Sequence, residues 1–223
     1  MVKDGKFKFV MVELARHMPY SIFGVTIGLL AMGVLTFLAI LVRAEGLLGY
    51  ASQEVFHVFH PAHILISAVA STAMFWKHEK RIFKAALVGF LGSITICAIS
   101  DIFLPYIGGM LTGKPMLMHV CIIEEPGLVY PFAVVGVLAG LMVTNNFERS
   151  TQYTHSAHVF ISSAASLLYL LGYGLTDWIH SVGSVFLIII AAVMIPCCAS
   201  DIVFPLACVH RNCDHPDELE HHY

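Results

Sequence analysis

Long apolar stretches alternate with short polar ones along the chain. Six stretches are apolar enough to cross about 30 Å of hydrocarbon, which takes a helix of roughly 20 residues. They cover about 18–43, 60–77, 82–106, 128–145, 155–174 and 179–207. None has the two-residue alternation of a barrel strand. The pattern predicts an all-α integral membrane protein with six transmembrane helices. The first stretch follows a basic segment, as a secretory signal does. Its apolar run from Pro19 to Val42 is longer than a signal core, and no small-residue cleavage pattern follows Arg43, so it is read as a retained helix.

Composition narrows the class. Of 223 residues, 58% are hydrophobic and 12% charged, with a mean hydropathy of +0.80. Soluble domains carry about 25% charged residues. A soluble enzyme and a disordered tail are therefore excluded. Lys+Arg number 12 against 15 Asp+Glu, which leaves no basic excess for a nucleic acid. The expected partners are the lipid bilayer and metal ions, with homo-oligomerisation left open.

The loops suggest an orientation. Lys3, Lys6, Lys8, Arg16, Lys77, Lys80, Arg81, Lys84, Arg149 and Arg211 fall on the side of the N-terminus, and only Arg43 and Lys114 on the other. Basic loops stay cytoplasmic, so both termini are expected inside.

Six cysteines are present. Cys97, Cys197 and Cys198 lie in the expected helices, and Cys208 and Cys213 on the reducing side, so a disulfide framework is not expected. Cys97 and Cys121 read as small buried apolar residues.

The chain repeats itself. His60-Pro61-Ala62-His63-Ile64-Leu65-Ile66-Ser67 matches His155-Ser156-Ala157-His158-Val159-Phe160-Ile161-Ser162, and Ala70 and Ser71 recur as Ala165 and Ser166. Cys97-Ala98-Ile99-Ser100-Asp101 and Pro105 match Cys197-Cys198-Ala199-Ser200-Asp201 and Pro205. More weakly, Pro19, Gly24, Val25, Gly28 and Leu29 align with Pro131, Gly136, Val137, Gly140 and Leu141, which puts Glu13 on Glu125. A three-helix unit duplicated in one chain enters the membrane upside down the second time. This predicts two inverted three-helix repeats. The organisation is then a cytoplasmic segment 1–17, a first repeat 18–106, an extracytoplasmic connector 107–127, a second repeat 128–207 and a cytoplasmic His/Cys-rich tail 208–223. Gly24, Gly28, Gly33, Gly136 and Gly140 offer small faces for close helix packing.

Ionisable residues inside spans are costly and point to function. His60, His63, Asp101 and Glu125 are expected at the outer face, and His155, His158, Asp201 and Glu13 at the inner one. Histidines at i and i+3 lie on one helix face, their Cβ atoms about 5–6 Å apart. Two imidazoles with a carboxylate from each of two neighbouring helices suit a divalent transition metal: Zn, Fe, Mn, Co or Ni. His57, His119 and Glu124 are additional candidates outside, and His17 and Cys198 inside, with Ser67 and Ser162 one turn further along. Adjacent Glu124 and Glu125 leave room for a second, bridged ion. Each residue alone also has a bland reading, as an interfacial His or a loop-bonding Asp. A proton path and a purely structural network remain alternatives. Haem is disfavoured, because an i,i+3 pair on one helix cannot sandwich it. Cys208, His210, Cys213 and His215 in the tail have spacing suited to a soft ion, and equally to a solvated tail.

Two functions follow as expectations. One is a membrane transporter of divalent transition-metal ions, with pseudo-symmetric His/carboxylate sites near both faces and affinity coupled to histidine protonation. Its difficulty is that no ionisable residue is expected midway between the faces. The other is an intramembrane metal-dependent enzyme, a hydrolase or a di-iron oxidoreductase. A metal sensor or storage factor is the blander third.

Overall fold

The computed structural model describes the backbone of residues 2–142, 147–175 and 177–209, with side chains at 15, 18–76, 79–142, 157–175 and 177–196. All regular secondary structure among the described residues is helical, with no strand. Helix α1 (Val2–Leu41) turns at Arg43 into a short 3-10 segment, Glu45–Leu47. Helix α2 spans Leu48–His78. Helix α3 (Ile82–Ala98) continues through a π-helical segment, Ile99–Phe103, into α4 (Leu104–Leu111). A connector leads to the single turn α5 (Cys121–Glu124) and then to α6 (Pro126–Met142). Helices α7 (Phe147–Gly172) and α8 (Val182–Val209) complete the bundle.

Four helical stretches are long and apolar enough to cross a membrane: Met18–Leu41, Glu45–Trp76, Ile82–Leu111 and Ile179–Pro196. Pro126–Met142 and Ala157–Gly172 are apolar but shorter. The four longer stretches carry large bare side chains, among them Phe23 at 67% exposure, Phe83 at 81% and Leu111 at 83%. Water would not tolerate so continuous an apolar surface, and hydrocarbon would.

The second helix is longer than its hydropathy predicts. It starts at Leu48 rather than near residue 60. Ser52, Gln53, Glu54 and His57 lower the local hydropathy, but backbone bonding carries the helix through them, and Gln53 Nε2 donates to the Gly172 carbonyl at 2.6 Å. His60 and His63 thus lie near the middle of the Glu45–Trp76 stretch, not at its mouth.

Helix α2 is the hub, packed against α3, α6 and α7, while α1 lies on α7 and α8. The core gathers Phe56 and Ile64 of α2, Ile102, Val129 and Ala133, and Val159, Leu167 and Tyr169 of α7. Close approach of α6 to α2 depends on missing side chains. A Cβ on Gly136 would stand 2.5 Å from the Leu65 carbonyl oxygen, and one on Gly140 2.7 Å from that of Val69. Gly28 faces open space.

This contrast sets a test. Gly136→Ala must push two backbones apart and should cost about 1–3 kcal/mol. Gly28→Ala should change stability by less than about 1 kcal/mol. Thermal unfolding of the two variants in detergent compares them, and equal effects would contradict the packing.

Candidate functional site

The deepest polar group is Asp101. It is fully buried, and it lies within the π-helical segment. The local reason for that segment is visible. The Leu104 N–H bonds the Ile99 carbonyl, five residues back, and Pro105 has no N–H to offer Asp101's own carbonyl. The Ser100 carbonyl therefore lacks its usual helical donor. The Ser166 hydroxyl of α7 lies 3.0 Å from it and 2.8 Å from the Ser162 carbonyl. Such π turns recur at functional sites, where they redirect a side chain.

Asp101 spends both carboxylate oxygens. Its Oδ2 accepts from Nδ1 of His60 at 2.8 Å and from Nδ1 of His63 at 2.7 Å. Its Oδ1 accepts from the Ser100 hydroxyl at 2.7 Å and the Ser162 hydroxyl at 3.2 Å. An ionised carboxylate has only lone pairs, so both Nδ1 atoms carry protons, and an imidazole that is neutral in this tautomer presents a bare Nε2. His60 Nε2 is buried and has no hydrogen-bond partner; its ring stacks on Phe56 at 5.2 Å. His63 Nε2 faces Nε2 of His158 at 2.7 Å, a contact that holds one proton, donated by His158. Ser67 Oγ, one turn from His63, is buried without a partner.

The first- and second-repeat histidines were expected at opposite faces. Instead His63 and His158 touch inside the bundle, both buried. Glu125 is exposed at the start of α6 and does not join them. Ser100 and Ser162 stand beside Asp101 in its stead. Glu13, His17, His155, Cys198 and Asp201 lie outside the described side chains, as do Cys208, His210, Cys213 and His215 of the tail.

A second cluster closes the connector end of the bundle. His57, one turn before His60 on α2, places Nε2 3.1 Å from Nε2 of His119. Their ligand atoms and the Cys121 sulfur all lie within 4.8 Å of one another, and among the described residues no other such group occurs. His119 is held on every side. Its ring stacks on Tyr173 at 4.9 Å, its backbone N–H donates to the Tyr169 hydroxyl at 3.1 Å, and its Nδ1 donates to Glu124 Oε2 at 2.8 Å. Glu124 Oε1 accepts the Val120 N–H at 2.8 Å. That amide, with His119, holds the Glu124 carboxyl below the ordinary glutamate range. Burial pushes the Cys121 thiol up to about 12, with Glu124 adding to it.

Sequence reasoning named His57, His119 and Glu124 but took Cys121 for packing. A buried cysteine beside two apolar residues carries no periodic signal. The pairing spans 62 residues between His57 and His119, and only the folded connector creates it.

No protein family, curated protein or solved structure matches the chain. The residues themselves must carry the functional argument.

Removing Asp101 should unsettle the interior. Asp101→Ala leaves two buried imidazole N–H groups without acceptors, at about 1–3 kcal/mol each. Ser162→Ala removes one bond of several and should cost about 1 kcal/mol. Thermal unfolding should rank the two variants in that order, and the reverse order would contradict the network.

Proposed function

We propose that the protein carries divalent transition-metal ions across a bilayer, through the histidine and carboxylate centre formed by His60, His63, Asp101 and His158. The observation that carries this reading is one carboxylate orienting two imidazoles, both in the interior. A ligating imidazole characteristically gives its other N–H to a carboxylate, which fixes the tautomer and raises its basicity. Asp101 serves His60 and His63 in that way. The bare, unpartnered Nε2 of His60 is the atom an arriving ion would take.

The architecture behind the reading is six spans arranged as two inverted repeats, with both termini cytoplasmic. Residues on a pseudo-two-fold axis must meet their own counterparts. His63 and His158 are counterparts in the repeat, and they are in contact. The opening helices also exchange halves: α1 packs on α7 and α8, and α6 on α2 and α3. Transporters of this architecture bind substrate near the midplane, at the repeat interface. Zn, Fe, Mn, Co and Ni all suit the donors. His155, Asp201, Glu13 and Glu125 would serve ions entering or leaving at the faces.

A second reading has an observation in its favour. At 2.7 Å the His63–His158 contact is a hydrogen bond rather than the spacing of two ligands on one ion. A proton relay through Asp101, His63 and His158 would look the same without an ion. The intramembrane enzyme is a third reading, and the same assay addresses it.

Elemental analysis of protein from cells grown with Zn, Fe and Mn should find bound metal. Proteoliposomes loaded with a metal-sensitive dye should show uptake, reduced about tenfold or more in His63→Ala and His158→Ala. Proton movement without metal uptake would favour the relay. Bound metal with no flux of either kind would favour the enzyme.

A further inference from the structure

We infer that His57, His119 and Cys121 form a metal site of their own, binding a borderline divalent ion such as Zn2+ or Co2+ at the connector end of the bundle. The inference goes beyond the transport reading and does not depend on it. Three different ligand atoms converge within 4.8 Å, whereas the interior centre is strung along hydrogen bonds. Two imidazoles on one tetrahedral ion at about 2.0–2.1 Å stand about 3.3 Å apart. The His57–His119 separation is 3.1 Å, so the two imidazoles need to part by only a few tenths of an ångström, and the Cys121 sulfur, within 4.8 Å of both, closes to the roughly 3.6 Å that nitrogen and sulfur ligands of one tetrahedral ion keep. The 2.7 Å contact of His63 and His158 requires more.

The surroundings point the donors inward. Glu124 accepts the Nδ1 proton of His119, so the Nε2 lone pair of that ring faces His57. Stacking on Tyr173 fixes the plane. Cys121 opens the α5 turn, and Glu124 closes that turn onto the Val120 amide. On binding, the ion takes the Cys121 sulfur as thiolate, and the thiol proton leaves to solvent. The His57 proton moves from Nε2 to Nδ1 as Nε2 becomes a ligand. Two imidazoles and a thiolate select Zn2+ or Co2+ over harder ions. Three protein ligands leave one position open, as in exchangeable rather than closed structural sites. The two imidazoles are partly exposed and the sulfur is buried, so an ion meets the rings before the thiolate.

The test uses the full chain in detergent, with Cys208→Ser and Cys213→Ser removing the tail thiols, and Co2+ alone as the probe. A thiolate-to-cobalt charge-transfer band should appear, vanish in Cys121→Ser, and persist in His63→Ala. Glu124→Gln should keep the band and weaken Co2+ affinity about 10–100-fold, the usual effect of losing an orienting carboxylate. Glu124 is exposed, so this variant keeps the inference testable if Cys121→Ser does not fold. Absence of the band, its survival in Cys121→Ser, its loss in His63→Ala, or unchanged affinity in Glu124→Gln would each overturn the site. Because no gradient is involved, failure of transport leaves this result standing, and the reverse.

Discussion

One buried carboxylate organises the interior. An ionised side chain in an apolar bundle survives only if its lone pairs are occupied. Asp101 occupies them with two imidazoles of α2, its own neighbour Ser100, and Ser162 of α7. Three separate lengths of chain are thereby held to one group. The π-helical segment belongs to the same solution. It turns Asp101 toward α2, and the serine of α7 meets the carbonyl that the turn releases. Replacing the carboxylate by an apolar residue would strand several partners together, so the network acts as one unit.

The sequence made the chemistry legible and left the depth illegible. HxxH and Ser-Asp recurring at matching positions marked His60, His63, Asp101 and His158, because such residues are rare in apolar runs. The glycines facing α2 were readable too, since Gly136 and Gly140 sit four residues apart. Depth failed for a physical reason. A hydropathy window reads Gln53, Glu54 and His57 as the end of a span, yet these side chains lie on a helix that continues regardless. Shifting the start of α2 back to Leu48 moves its histidines from the mouth to the interior. The difficulty with transport, that no ionisable group lay midway, came from that boundary. Cys121 was invisible for a different reason: its partner His57 comes from a distant helix, and the contact exists only once the connector folds back.

The connector is built rather than loose. The Leu117 N–H bonds the Tyr173 carbonyl at 2.7 Å, and Gly174 takes a φ of 156° beside Pro115. A Cβ at Gly174 would stand 2.5 Å from the Pro115 carbonyl oxygen. Trp178 Nε1 donates to Thr36 Oγ1 at 3.2 Å, tying the next turn to α1. These contacts tie the connector to the end of α7, and the turn that follows to α1.

Two polar centres then share one helix, His57 in the first and His60 and His63 in the second, separated by aromatic rings. Phe56 stacks on His60 and meets Tyr169 and Tyr173 edge-on, while Tyr173 carries His119 on its face. The spacings give the two centres different resting states. Both pairs share a proton, but the connector pair at 3.1 Å stands closer to the bite of an ion than the interior pair at 2.7 Å. Opening that interior pair means drawing α2 from α7 where His63 and His158 touch. On the transport reading, loading the interior and moving one half of the bundle against the other are therefore the same event, and the connector site, outside that contact, can fill without it.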